Sequence, residues 1–250
     1  MLIKTFNRTH SLNMSIIKNT KMDNLFSLLE DKFCVDPLMF QNFLIREKAI
    51  LAGSSTLWAM SPWCRYYNFN GDLDIWIQEP DALSRLNYVA SPEHRFGYSG
   101  FANYHPERKA LVDRLTTVLE GEGFDYKKVA RNFYYPDRDD YSTDVDPSFK
   151  YINAIYSFTK DVVQRDVKKT LKIQVMLLSI PPVEMVNHFD ISLTRCYYSG
   201  VGLIHLRLLR EIENKTFSIN TSCTDLKRKT SRIRKYEKRG FVFEDLNNQQ

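Results

Sequence analysis

This chain of 250 residues lacks several features that would assign it to a particular protein class. Its four cysteines are scattered, with no Cys-x-x-Cys pair and no histidine at zinc-binding spacing, so we expect reduced thiols and no zinc site. No apolar run approaches the ~20 residues that a membrane-crossing helix needs, and the N-terminus lacks the apolar core of a secretion signal. We therefore expect an intracellular protein, cytoplasmic or nuclear, with no membrane partner.

Acidic residues are scarce in two basic stretches near the ends of the chain. Residues 1–21 contain basic side chains and no acid, and residues 227–239 hold eight basic residues against Glu237 alone. Basic ends on a nearly balanced body indicate an anionic partner, most simply a nucleic acid. We expect Arg232, Lys235 and Arg239 to contact its phosphates. A basic helix face that is merely solvated is the alternative.

The pattern of hydrophobic residues predicts three parts. Residues 1–21 form a flexible basic lead, for which an organelle transit peptide is the alternative. Residues 22–212 form the main domain, and residues 213–250 form a basic helical tail that is partly disordered. A hydrophobic content of 43% and a charged content of 26% are ordinary for a soluble globular protein.

Strand and helix patterns alternate through the main domain. Helices are predicted from Met22, from Pro37, after Ser54 or Ser55 as the N-cap, over 201–212 and over 225–239. Apolar runs, including one over 171–178, predict strands between them. The expected fold class is α/β (α+β): a mixed sheet flanked by helices, with helical N- and C-terminal segments.

Two short motifs carry the chemistry. The apolar run 49–52 ends in Gly53-Ser54-Ser55, where a glycine lets the backbone turn closely around a ligand. Further on, Asp72 and Asp74 are two residues apart, so on a strand both carboxylates point to the same face. Such a pair is costly without a cation, and oxygen ligands suit Mg²⁺. The alternative is that Asn70-Gly71-Asp72 is only a hairpin turn.

This order of motifs resembles the nucleotidyltransferase superfamily to which DNA polymerase β belongs: hydrophobic-Gly-Ser, then Asp-hydrophobic-Asp-hydrophobic. The resemblance implies a nucleotidyltransferase-like fold in which Gly53 and Ser54, with Ser55 beside them, bind the phosphates of a nucleoside triphosphate such as ATP. It also implies that Asp72 and Asp74 hold two Mg²⁺ (or Mn²⁺) ions. The gap between Ser54 and Asp72 is longer than the family's minimum.

A third acid normally completes the metal site in this superfamily. By chain position the strand 171–178 should carry it, but that strand offers Gln174, so either Asp190 is the third ligand or the site is degenerate. The segment around Phe189-Asp190-Ile191 is similar to one in nucleotidyltransferase-like proteins of large DNA viruses and some lower eukaryotes. Arg195 either steadies the triphosphate or closes a local salt bridge.

The expected function is transfer of a nucleoside monophosphate from a triphosphate to a hydroxyl acceptor, with release of pyrophosphate. Asp72, Asp74 and Asp190 are the expected catalytic and metal-binding residues. The alternative is an inactive protein of the same fold that acts as a nucleic-acid-binding or virion-associated module. A divalent-dependent consumption of triphosphate separates the two.

Overall fold

The fold was analysed in a computed structural model, which describes residues 21–61, 69, 71–79, 106–130, 150–164, 166–205, 210–219 and 226–244. The predicted basic lead, apart from its last residue, and the final polar residues of the tail lie outside this part of the chain.

Seven strands form one mixed sheet, in the spatial order β3-β4-β5-β2-β1-β6-β7. The central strand β2 is antiparallel to β1 and parallel to β5, and the other neighbours in the sheet are antiparallel. The seven strands are β1 (Ile50–Ala52), β2 (Leu73–Gln78), β3 (Asp125–Ala130), β4 (Ile152–Gln164), β5 (Val167–Leu178), β6 (Cys196–Tyr198) and β7 (Leu203–His205).

One face of the sheet carries the main hydrophobic core. Leu73 and Ile75 of β2 point to this face, and both are fully buried. Three helical segments cover it: residues 21–33, whose π-helix is Leu28–Lys32, then α1 (Pro37–Arg46), then α3 (Pro106–Gly121). Asp36 caps α1 by accepting from two backbone N–H groups in its first turn. Pro37 therefore begins this helix, as predicted.

The opposite face of the sheet carries a smaller core. Trp76 of β2 lies there, since successive side chains on a strand alternate between faces. The short helix α4 (Pro182–Asn187) covers this end of the face with Met185 and Val186. Asp72 and Asp74 share the alternating positions of Trp76, so they belong to this face and lie beyond the apolar cluster.

The C-terminal segment packs onto the body through a third core. Two short parallel strands, β8 (Thr216–Phe217) and β9 (Val242–Phe243), pair on either side of helix α6 (Leu226–Glu237) in the chain. Tyr236 of α6 and Phe217 share a buried cluster with Leu57 of α2 (Ser54–Met60) and with Cys196. The basic helix predicted for this region therefore forms, and its apolar side is part of the folded domain.

The helix predicted over 201–212 is wrong. The chain forms β7 at Leu203–His205, which pairs with β6, and the short helix α5 is Arg210–Asn214. Leucines three residues apart at 203, 206 and 209 suggested a helix. Leu203 instead pairs with Tyr198 at the edge of β6. Pairing with a neighbouring strand thus overrides a weak local pattern.

We predict that Gly200→Ala destabilises the protein, because the backbone at Gly200 is left-handed and an added Cβ would clash with neighbouring atoms. Its φ is +84°, and an added Cβ would lie 2.6 Å from Ile45 Cγ1 and 2.9 Å from the Gln41 carbonyl oxygen. The free energy of unfolding in urea should fall by about 2–4 kcal/mol. Gly202→Ala is the matched control, since its Cβ would meet no atom within 4 Å. Equal losses in both variants would contradict this reading.

Candidate metal and nucleotide site

Asp72 and Asp74 lie on one face of the sheet at the start of its central strand. The burial of Leu73 and Ile75 in the main core turns the two carboxylates to the other face, as the i, i+2 spacing predicts. Both acidic side chains stay partly accessible to solvent. Two acids are thereby held next to each other by a strand that cannot rotate without exposing its core residues.

The Gly-Ser turn after β1 lies directly against these acids. Gly53 has φ +94°, and a Cβ at this position would lie 3.3 Å from Asp74 Oδ2. Ser54 Oγ also lies close to the residues just before β2, because a Cβ on Gly71 would lie 2.9 Å from it. Glycine at both positions therefore lets the turn and the acid-bearing strand approach each other closely.

Thr56 holds the turn in place from behind. Its hydroxyl oxygen lies 2.9 Å from the Gly53 carbonyl oxygen and 3.0 Å from the Cys196 carbonyl oxygen, so it can donate to either. Cys196 belongs to β6, the strand on the far side of β1. The hydroxyl thus ties the turn to a strand that is 140 residues away in the chain.

The surroundings of Asp74 disfavour its charged form. Burial is the largest cause, and the negative charge of Asp72 adds to it, so the pKa of Asp74 rises to about 7. Lys235 and Lys172 act in the opposite direction without cancelling the effect. The acid pair is therefore short of positive charge near neutral pH.

Two lysines supply part of that charge. Lys172 of β5 places its Nζ 3.4 Å from Asp72 Oδ2. Lys235 of α6 interacts electrostatically with both Asp74 and Asp72. Burial lowers the pKa of Lys235 most, followed by the like charges of Arg239 and Arg232, while the two acids raise it. Lys172 was not among the predicted site residues, although the alternation along β5 puts it on the same face as Gln174.

The two candidates for a third ligand are in different environments. Gln174 is buried and pairs in register with Asp74 on the adjacent parallel strand, so a neutral amide stands beside the acid pair in the sheet. Asp190 is buried in the turn before β6, where its Oδ1 accepts a hydrogen bond from Arg232. Its other oxygen, Oδ2, is buried and has no hydrogen-bond partner.

The side chains of two predicted phosphate ligands are buried in the fold. Arg195 is buried and donates from Nε and Nη2 to the Phe189 carbonyl oxygen, at 2.9 and 2.8 Å. Ser55 is fully buried, and its hydroxyl has no hydrogen-bond partner. The prediction that Ser54 or Ser55 caps helix α2 is wrong, because Gly53 occupies the N-cap position and no side chain caps the helix.

The three predicted nucleic-acid contacts have partners within the domain. Arg232 is bound to Asp190, and Lys235 interacts electrostatically with the acid pair. Arg239 stacks over the Tyr236 ring, with its guanidinium carbon 5.2 Å from the ring centroid. Arg234 and Lys238, four residues apart, are exposed on the other side of the helix.

The donor set fits a hard divalent cation. Asp72 and Asp74 provide carboxylate oxygens, which Mg²⁺ and Mn²⁺ prefer, and Gly53 leaves the space beside Asp74 free of a side chain. Within the described residues, no group of three or more His, Cys, Asp or Glu side chains converges as a ready-made metal site. An ion held by this pair would take two carboxylates from the protein, and phosphate and water oxygens would complete its coordination shell.

Comparison with known proteins adds no relative: no protein-family model, no curated protein and no solved structure matches this chain. Among the residues that the structure describes, no helix has the length and apolar character needed to cross a membrane.

We predict that Asp74 makes stability depend on pH. Its pKa is about 7 in the folded protein, against an ordinary value of 3.8, so the folded state keeps a proton that the unfolded chain releases. Stability should therefore fall as pH rises from about 4 to about 7, by about 1–3 kcal/mol. Urea unfolding in EDTA at several pH values measures this.

Asp74→Asn should remove this loss of stability, because the amide does not titrate. Asp166→Asn, at an exposed hairpin position with φ +61° that asparagine tolerates, is the matched control and should keep it. Parallel stability–pH curves for the wild type and Asp74→Asn would contradict the prediction.

Proposed function

We propose that this protein is a divalent-metal-dependent nucleotidyltransferase of the polymerase β-like type. The observation that supports the proposal most is the approach of Gly53 to Asp74, since it unites the glycine turn and the acid pair in one site. Either motif alone has an ordinary structural explanation. Their contact across two neighbouring strands is what a site for a metal-bound triphosphate requires.

In this proposal the turn holds the phosphates and the acids hold the metal. Backbone N–H groups at the start of α2 would donate to phosphate oxygens, and Ser54, which is partly exposed, can add its hydroxyl. Asp72 and Asp74 would bind Mg²⁺ or Mn²⁺, which as a Lewis acid polarises the phosphoryl oxygens. Lys172 and Lys235 would offset negative charge on the phosphates.

The reaction is an in-line displacement at the α-phosphorus. The acceptor's hydroxyl oxygen forms a bond to this phosphorus and releases its proton to solvent, while the bond to the bridging oxygen breaks and pyrophosphate leaves. Asp72 and Asp74 would hold the metal ion, which would supply the Lewis-acid chemistry at the phosphate. Arg195 contributes by fixing the backbone at Phe189, to whose carbonyl oxygen it donates.

A second candidate is a protein of this fold that binds nucleotide or nucleic acid without turnover. Two observations favour this candidate. Gln174, which pairs with Asp74, is neutral, and the charge of Asp190 is balanced by its ion pair with Arg232. Incubation with α-labelled triphosphates, Mg²⁺ and candidate acceptors separates the two. Labelled product supports the transferase, whereas metal-dependent binding without product supports the binding module.

We predict that Asp72→Asn and Asp74→Asn each weaken Mn²⁺ binding by about tenfold or more, because each removes a charged oxygen ligand. Transfer of label should be lost in both variants. Titration calorimetry and circular dichroism measure affinity and fold together. Asp166→Asn is the control and should bind Mn²⁺ like the wild type. Unchanged affinity in both site variants would disprove the metal assignment.

We also propose a nucleic acid as an additional partner, bound through the exposed side of α6. Reversing Arg234 and Lys238 to Glu should lower the log–log salt slope of single-strand binding by about 1.4, since each lost phosphate contact contributes about 0.7. Lys172→Glu, on the sheet, should change that slope less. Fluorescence anisotropy with a labelled oligonucleotide measures it. Absence of binding at low salt would show that the exposed side of this helix is only a solvated surface.

A further inference from the structure

The number of metal ions at the site depends on which charged groups surround Asp72 and Asp74. Two-metal phosphoryl transfer places ions roughly 3.5–4 Å apart, and carboxylates must then balance both ions. The strands on either side of β2 show which charged side chains lie beside the acid pair.

The row of residues through Asp74 contains no other carboxylate. Across the sheet, Ser157 of β4 pairs with Gln174 of β5, which pairs with Asp74, which pairs with Ala52 of β1. Side chains paired in register point to the same face. An acid at position 174 would complete a carboxylate set beside Asp74, but the chain has a buried amide there, which carries no charge.

The next row holds a cation where a second ion would need an anion. Lys172 lies two residues before Gln174 on the same face, and its ammonium is 3.4 Å from Asp72 Oδ2. One oxygen of the acid pair is thus already neutralised by the protein. Lys235 adds a further positive charge near both acids.

Asp190 cannot supply the missing charge without a cost. It is 5% exposed, and Arg232 holds one of its oxygens. Its Oδ2 has no hydrogen-bond partner, but an ion bound there would share a carboxylate whose charge the Arg232 guanidinium already balances.

We propose that the site binds one divalent cation, between Asp72 and Asp74, and that the Lys172 ammonium supplies the positive charge that a second ion would bring. Two divalent ions would carry twice the charge that the acid pair offers, beside two lysines. This inference rests on the proposed function, because it takes the acid pair to be the metal site.

The experiment counts bound Mn²⁺ in the full chain by electron paramagnetic resonance and titration calorimetry, with no nucleotide present. The wild type should bind one ion. Gln174→Asp should bind two, because it adds the missing carboxylate, and Gln174→Asn, the matched amide control, should still bind one. Two ions in the wild type, or one in a folded Gln174→Asp, would overturn the proposal. No bound ion at all would overturn the proposed function as well.

A second pair of variants tests the role of Lys172 independently of position 174. Lys172→Gln should bind the single ion several-fold more tightly, because the ammonium no longer competes for Asp72. Lys168→Gln, four residues earlier on the same face of β5 and exposed, should leave the affinity unchanged. Equal Mn²⁺ affinities in Lys172→Gln and the wild type would overturn the role assigned to this lysine.

Discussion

The repulsion between two carboxylates on one strand is the constraint around which this site is arranged. Asp72 and Asp74 cannot separate, because Leu73 and Ile75 anchor β2 in the main core. Burial, and then the negative charge of Asp72, raise the pKa of Asp74 to about 7, while Lys235 and Lys172 act in the opposite direction. Proteins seldom keep such a strained pair in a central strand without a use for it. In the proposed function, a divalent cation bound to a triphosphate would remove the repulsion, and the glycine turn would hold the phosphates.

Helix α6 links the stability of the domain to the charge of the site. Tyr236 buries its ring in the third core, Arg232 binds Asp190, and Lys235 interacts electrostatically with the acid pair. The sequence of this helix suggests a basic extension. In the fold it has an apolar side, a side toward the site and an exposed side. Lys235 adds positive charge near the acid pair, whereas Arg234 and Lys238 are exposed to solvent.

Local patterns predicted those parts of the structure that depend on neighbours in the chain. Alternation placed Asp72 and Asp74 on one face, Pro37 marked a helix start, and the mixed sheet flanked by helices followed from alternating elements. Features that depend on strand register or distant contacts were beyond such patterns. Lys172 reaches Asp72 only because β5 lies parallel to β2, and Arg232 meets Asp190 across 42 residues of chain. Leucine spacing predicted a helix at 201–212. This spacing carries no information about the edge of β6, with which Leu203–His205 pairs.

The most direct test of the account is a crystal structure with Mn²⁺ and a non-hydrolysable nucleoside triphosphate, in which anomalous scattering locates the metal. The account predicts an anomalous peak about 2.0–2.2 Å from a carboxylate oxygen of Asp72 and one of Asp74. The triphosphate should lie on the Gly53–Ser54 turn. A nucleotide bound elsewhere, or density on the turn with no metal at the acid pair, would contradict it.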